Sequence, residues 1–172
     1  FGRLIDLLNY QHLLKWMRFN FLYMSERPRP WAEQAAEFYL NRITAQVKFS
    51  EARVTPIKRT KNSVLEVVRA EEWSKLEEKM SPGALLVLLD ERGQQLDSKG
   101  LSSKVESWQL MGRDVYFIIA GADGVNEAVR NKADFLLGLS RMTLPHELAR
   151  VLFLEQFYRA WTILNNHPYH RV

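Results

Sequence analysis

The sequence predicts an α/β fold built on a largely parallel sheet. Strand-like and helix-like segments alternate from residue 17 onward, and turn-forming stretches separate them. Two short apolar runs, "ALLVLLD" and "DVYFIIA", lack the apolar/polar alternation of a half-solvated strand. Continuous runs of that length read as strands covered on both faces, which parallel sheets require.

The elements follow in order. Residues 1–16, "FGRLIDLLNYQHLLKW", place Leu4, Leu7, Leu8 and Leu14 at helical spacing but offer no cap. They also lack the basic start and small-residue cleavage site of a signal peptide. Met17 opens "MRFNFLYM" and reads as a candidate initiator, leaving 1–16 as an extension; an amphipathic surface helix is the alternative. Arg18–Met24 alternates, with Phe19, Phe21 and Tyr23 on one face. "SERPRP" ends that strand, and Pro30 suits the first turn of a helix running to about Thr44. Val47–Val54 alternates again. Ser63 with Glu66 fits a capping box for a helix to about Met80, and "SPG" stops it before the first apolar run. Ser103 with Glu106 fits a second capping box, for a helix to Met111. The second run ends in "AGADG". A short helix (Asn126 to Ala133), a short strand (Phe135 to Leu139) and a long helix from about Pro145 to Asn165 complete the order.

That last helix carries Leu148, Val151, Leu152, Phe153, Leu154, Phe157, Tyr158, Trp161 and Leu164 around more than one face. A surface helix shows a single apolar stripe, so two sides need cover. A second subunit is the economical cover, and residues 1–16 are the alternative.

A chain of 172 residues, 47% hydrophobic and 26% charged, fits one domain with a proper core. With no cysteine there is no disulfide, thiol nucleophile or thiolate metal site, which fits a reducing cytoplasmic setting. No apolar run approaches the ~20 residues of a membrane span. The +4 charge is uneven. Lys48, Arg53, Lys58, Arg59 and Lys61 gather around Pro56, while Arg141, Arg150, Arg159 and Arg171 recur in the C-terminal segment with His146, His167 and His170. Such asymmetry fits an anionic partner, nucleic acid foremost. Scattered solvated charges fit the same evidence.

Ligands of open α/β sheets sit beyond the carboxyl ends of the strands. Three such ends are readable, at Leu89-Asp90, Ala120-Gly121 and Leu139-Ser140. No phosphate-binding P-loop or dinucleotide fingerprint is present, and "GADG" taken alone reads as a turn. The tail "NNHPYHRV" combines two imidazoles, an aromatic ring able to stack on a base, and an arginine. Its H-x-x-H lacks a third ligand for a metal. By pattern alone, ordinary tail residues are the favoured reading.

"LLVLLDERGQQLDSKGLSSKV", "WQLMGRDVYFIIAGADG" and above all "LSRMTLPHELARVLFLEQFYRAWTILNNHPYHR" closely resemble the RlmH (YbeA) family of SPOUT-class methyltransferases, over Met17 to Arg171. The resemblance implies a mostly parallel sheet flanked by helices, with a C-terminal trefoil knot, in a domain of residues 17–172. It implies a cytoplasmic homodimer that uses S-adenosyl-L-methionine, releases S-adenosyl-L-homocysteine and needs no metal. The implied reaction is methylation of N3 of a pseudouridine in 23S ribosomal RNA, on the assembled ribosome. The implied cofactor residues are Leu89, Ala120, Gly121, Leu139, Ser140, Arg141, Met142, Thr143 and Leu144. By the same resemblance the tail becomes a catalytic element, with His170 as base and Tyr169 stacking on the target. Arg159, His167 and Arg171 would meet RNA, and His146 would support the cofactor loop. Two departures stand out: Ala120 where the family has glycine, and Gly121-Ala122-Asp123-Gly124 where Gly-Pro-Glu-Gly is common. They favour an alternative, a non-catalytic RNA-binding ribosome assembly factor that kept the knot.

Overall fold

A computed structural model describes residues 17–170, the last by its backbone alone. The expectations for residues 1–16, for Arg171 and for the His170 side chain lie outside the described residues. Five strands, β1 (Phe19–Met24), β2 (Phe49–Val54), β3 (Leu85–Gln95), β4 (Val115–Ile119) and β5 (Phe135–Gly138), form one sheet in the order β2-β1-β4-β3-β5. Every pairing is parallel. Both faces are covered, as the two continuous apolar runs predict. Phe19, Phe21 and Tyr23 of β1 face a cluster that includes Phe117, Phe153 and Phe157, while Leu22 and Met24 face a second cluster with Trp73, Leu76 and Ile118.

Helices α1 (Pro30–Thr44), α3 (Ser98–Leu110) and α5 (His146–Leu164) cover the first face. Helices α2 (Leu65–Glu77) and α4 (Glu127–Lys132) cover the second. Rings close the centre: Phe21–Phe153 centroids lie 4.6 Å apart and Phe117–Phe153 centroids 4.8 Å apart. Each fully buried ring contributes roughly 1.5–3 kcal/mol over its exposed state.

Both predicted capping boxes are absent. Ser63 Oγ accepts from the Thr60 N–H at 2.8 Å, Glu66 pairs with Arg69 at 2.7 Å, and α2 starts behind Val64 with no side-chain cap. α3 starts five residues before Ser103, where Asp97 accepts from the Gly100 N–H at 2.7 Å; Ser103 lies inside the helix and donates to the Lys99 carbonyl. A real N-cap with its own donor outcompetes a look-alike one turn later.

The two-sided apolarity of α5 is covered in part by its own chain. Phe153, Phe157 and Trp161 pack among β1, α1 and α3, while Leu148 stays exposed and Val151 and Leu152 are half-buried. Arg150, 3% exposed, is not available to an anionic partner. It pairs with Glu51 at 2.6 Å and Glu33 at 2.6 Å and lies over the Tyr23 ring at 4.1 Å, fastening α5 to β2 and α1.

Candidate functional site

Parallel strands bring their carboxyl ends to one rim. There β3, β4 and β5 open onto a cleft of about 360 Å³, within the range of small-molecule sites. Leu89, Ala120, Gly121, Leu139, Ser140, Met142, Thr143 and Leu144 all line it. Arg141, alone of the nine predicted cofactor residues, is not among the lining residues, although its neighbours Ser140 and Met142 are. His146 at the start of α5 also lines the cleft, beside the loop it was expected to support.

The β4 turn is tightly held. Gly124 takes φ +66° and donates its N–H to the Gly121 carbonyl at 2.8 Å. Arg69 donates twice to the Asp123 carbonyl, at 3.1 and 2.9 Å, and Arg59 pairs with the Asp123 carboxylate at 2.6 Å. Behind the turn sits Glu72, 2% exposed, with Oε1 accepting from the Ile57 N–H at 3.1 Å. Its Oε2 has no hydrogen-bond partner, and a Cβ on Gly121 would stand 2.2 Å from it. Glycine is therefore favoured at 121 by crowding, not by backbone angle, since a side chain there would have to displace buried Glu72. Ala120 needs no glycine: among the described residues only Asn166 is a non-glycine with positive φ, so the extra methyl carries no strain.

Charged walls were not foreseen. Asp90 and Arg130 pair at 2.8 Å with their side chains only 7% and 13% exposed. Burial disfavours the Arg130 charge, but the Asp90 contact outweighs it and holds the guanidinium above its ordinary value. Arg69, Glu91 and Arg92 also line the cleft. Glu72 did leave a signal: Val68, Glu72 and Leu76 are spaced four apart, a carboxylate on a buried helical stripe. Arg69 and Arg130 left none, since their partners lie 54 and 40 residues away.

β3 runs on past the apolar run through polar residues to Gln95, pairing Gln94 with Leu137 and Gln95 with Gly138 after a register shift. Gly93 and Gly138 allow this approach; a Cβ on Gly93 would meet the Gly138 nitrogen at 2.5 Å.

The predicted RNA and catalytic residues gather elsewhere. α5 stops in a Schellman motif, with the Asn166 N–H donating to the Ile163 carbonyl at 3.2 Å and the His167 N–H to the Thr162 carbonyl at 2.9 Å. Asn166 supplies the left-handed residue, φ 53°. The chain then folds back along the helix. The Tyr169 ring packs edge-on against Tyr158 at 4.7 Å and under Arg159 at 5.0 Å, and its hydroxyl donates to Glu155 at 3.2 Å. Burial, together with the nearby Tyr39 and Glu155, pushes its phenol well above the usual range. Arg159 pairs with Glu155 at 2.6 Å, as i,i+4 spacing allows. His167 is exposed, and its Nδ1 accepts from the Tyr169 N–H at 3.2 Å.

None of Arg159, His167 and Tyr169 lines the cleft. At 1.5 Å per residue, Glu155 lies about 13 Å along α5 from His146. The fold therefore brings the predicted cofactor residues other than Arg141 together at one cleft and keeps Arg159, His167 and Tyr169 of the same chain apart from it. Among the described residues no helix is long and apolar enough to cross a membrane, and no group of three or more His, Asp or Glu side chains is placed to hold a metal ion.

Known proteins agree with this geometry. A family described as "Predicted SPOUT methyltransferase" matches residues 17–170. The chain is 42% identical over 142 residues to a ribosomal RNA large subunit methyltransferase H of Janthinobacterium sp. (strain Marseille), covering 83% of this chain and 91% of that protein. It is 38% identical over 156 residues to the protein of the same name from Paraburkholderia phymatum, covering 91% and 100%. Among solved structures, the tRNA (m1G37) methyltransferase of Aquifex aeolicus shares the fold with TM-score 0.52 at 12% identity, covering 83% of this chain and 69% of that one.

Proposed function

The chain belongs to the SPOUT methyltransferase family, and from that membership we propose that it methylates N3 of a pseudouridine in large-subunit ribosomal RNA. The observation that carries the reading is the convergence of three strand ends on one cleft, within a domain matched from end to end by that family. The enzyme uses S-adenosylmethionine, which supplies a methyl group already activated on a sulfonium. The cleft's walls fit it. Leu89, Leu139 and Leu144 offer apolar surface for an adenine ring, and the backbone at Ala120–Gly121 and Leu139–Ser140 offers hydrogen bonds. Ala120 carries no backbone strain, so it does not by itself argue for a non-catalytic assembly factor, and binding of S-adenosylhomocysteine separates the two readings.

Transfer to an imide nitrogen needs that nitrogen aligned with the methyl group and its proton removed. We assign proton removal to His170 and support of the target base to Tyr169, whose phenol stays protonated near neutrality and so donates or stacks but does not act as base. Tyr169 packs well along α5 from the cleft of its own chain, which supports a role at the cleft of a second copy. The homodimer implied by the family resemblance would set the tail of one copy at the cleft of the other, with Arg159, His167 and Arg171 toward RNA. In this reading residues 17–172 form the knotted catalytic domain, residues 1–16 are a dispensable extension, and the assembled ribosome in the cytoplasm is the substrate.

The test supplies radiolabelled S-adenosylmethionine with large-subunit particles, small-subunit particles and transfer RNA in parallel. Label should enter large-subunit RNA alone. Label in transfer RNA, or in nothing, overturns the reading.

A further inference from the structure

The loops that follow β1 and β2 stand on the same rim as the cleft, because all strands run one way. They are residues 25–29, "SERPR", and residues 55–64, "TPIKRTKNSV". Together they hold Arg27, Arg29, Lys58, Arg59 and Lys61 against Glu26 alone. Met24 and Val54 are register partners, and the Ser25 N–H donates to the Val54 carbonyl at 3.0 Å, so both loops leave the sheet side by side. Arg53 ties them further, donating to the carbonyl of Ser25 at 3.2 Å and to that of Glu26.

The second loop is also fixed to the cleft. Arg59 reaches Asp123, a cleft residue, at 2.6 Å. The Ile57 N–H donates to buried Glu72 at 3.1 Å, and Lys75 Nζ donates to the Thr55 carbonyl at 3.3 Å. These contacts neutralise Arg59, and Glu147 at 3.8 Å faces Arg29. Arg27, Lys58 and Lys61 are exposed and have no carboxylate at ion-pair distance among the described residues. Consecutive Cα atoms are about 3.8 Å apart, so the Cα atoms of Lys58 and Lys61 stand within about 8 Å of that of Arg59, the residue that touches the cleft turn. The loop carries no aromatic ring, so it offers charge but no base-stacking surface.

We propose that residues 55–62, with Arg27, are a docking arm for the phosphate backbone of ribosomal RNA beside the target nucleotide, latched to the cofactor turn through Arg59. This rests on the ribosomal RNA methyltransferase reading above. Lysine point charges on a fixed loop select phosphate and position RNA without reading its bases.

The test compares wild type with the Lys58→Ala/Lys61→Ala double variant. It uses filter binding to large-subunit particles across a salt series, with methyl transfer and S-adenosylhomocysteine calorimetry alongside. The variant should bind particles about tenfold more weakly at moderate salt. Its plot of log affinity against log salt should be shallower by roughly 1.4–1.8, the value for two lost phosphate contacts. KM for particles should rise, while affinity for S-adenosylhomocysteine stays at the wild-type value. Wild-type affinity and salt slope in the variant overturn the arm, as does a loss of binding to anionic lipid vesicles with particle binding intact. If wild type binds particles salt-dependently through these lysines but transfers no methyl group, the arm stands and the enzymatic reading falls.

Discussion

Gly121→Ala probes the packing behind the cofactor turn. The new Cβ would stand 2.2 Å from Glu72 Oε2, 3.0 Å from Glu72 Cδ and 3.2 Å from the Met24 sulfur. Glu72 is 2% exposed and sits on the far side of the turn from the cleft, so the substitution acts by pushing the turn, not by filling the ligand's space. Overpacking of this kind costs about 1–3 kcal/mol. If Glu72 yields, it also loosens its bond to the Ile57 N–H, and hydrogen bonds to charged groups are worth about 1.5–3 kcal/mol. A loss of about 3 kcal/mol should lower the melting temperature by roughly 6–12 °C for a chain of this size. Calorimetry on the single variants and on Gly121→Ala/Glu72→Ala completes a double-mutant cycle. The double variant should be more stable than the sum of the singles by at least about 1 kcal/mol, because removing the carboxylate relieves the clash. Affinity for S-adenosylhomocysteine should fall in Gly121→Ala and partly return in the double. Strict additivity, or an unchanged melting point in Gly121→Ala, would refute this account of the turn.

Other outcomes follow from single contacts. Asp90→Ala leaves the mostly buried Arg130 with Glu127 at 3.4 Å as its remaining carboxylate partner and should cost about 1–3 kcal/mol in denaturant unfolding, with weaker binding of S-adenosylhomocysteine. Tyr23, pushed up to about 12 by burial, keeps a proton in the folded state that the unfolded chain gives up near 10. Stability should therefore be complete below pH 10 and fall as pH rises toward 12, and Tyr23→Phe should flatten that loss in pH-jump unfolding curves. Asn166→Ala forces a β-carbon-bearing residue lacking Asn's local hydrogen bonds into φ 53° and should cost about 1 kcal/mol, whereas Asn166→Gly should not.

The order of elements was legible because it depends on local pattern. "ALLVLLD" and "DVYFIIA" can be covered only on both faces, and Pro30 sits at the first residue of α1 as expected. The cleft was legible for the same reason: parallel strands put Leu89, Gly121 and Ser140 on one rim wherever the helices lie. What failed depends on competition or on distance. Ser103-x-x-Glu106 satisfies the capping-box pattern, yet Asp97 had already started the helix. The polar second half of β3 carries no strand signal, since its pairing with Leu137 and Gly138 is fixed by contacts more than 40 residues away. The two apolar sides of α5 were read correctly, but sequence did not show that α1 and α3 would pack against it.

The proposed substrate position, N3 of a ribosomal pseudouridine, can be read directly from the product. Large-subunit particles incubated with the enzyme and S-adenosylmethionine carrying a deuterated methyl group, then digested to nucleosides, reveal it by mass spectrometry. One deuterated methyl should appear on N3 of pseudouridine, present with wild type and much reduced with Gly121→Ala. The same label on another nucleoside, or on none, would contradict the proposal.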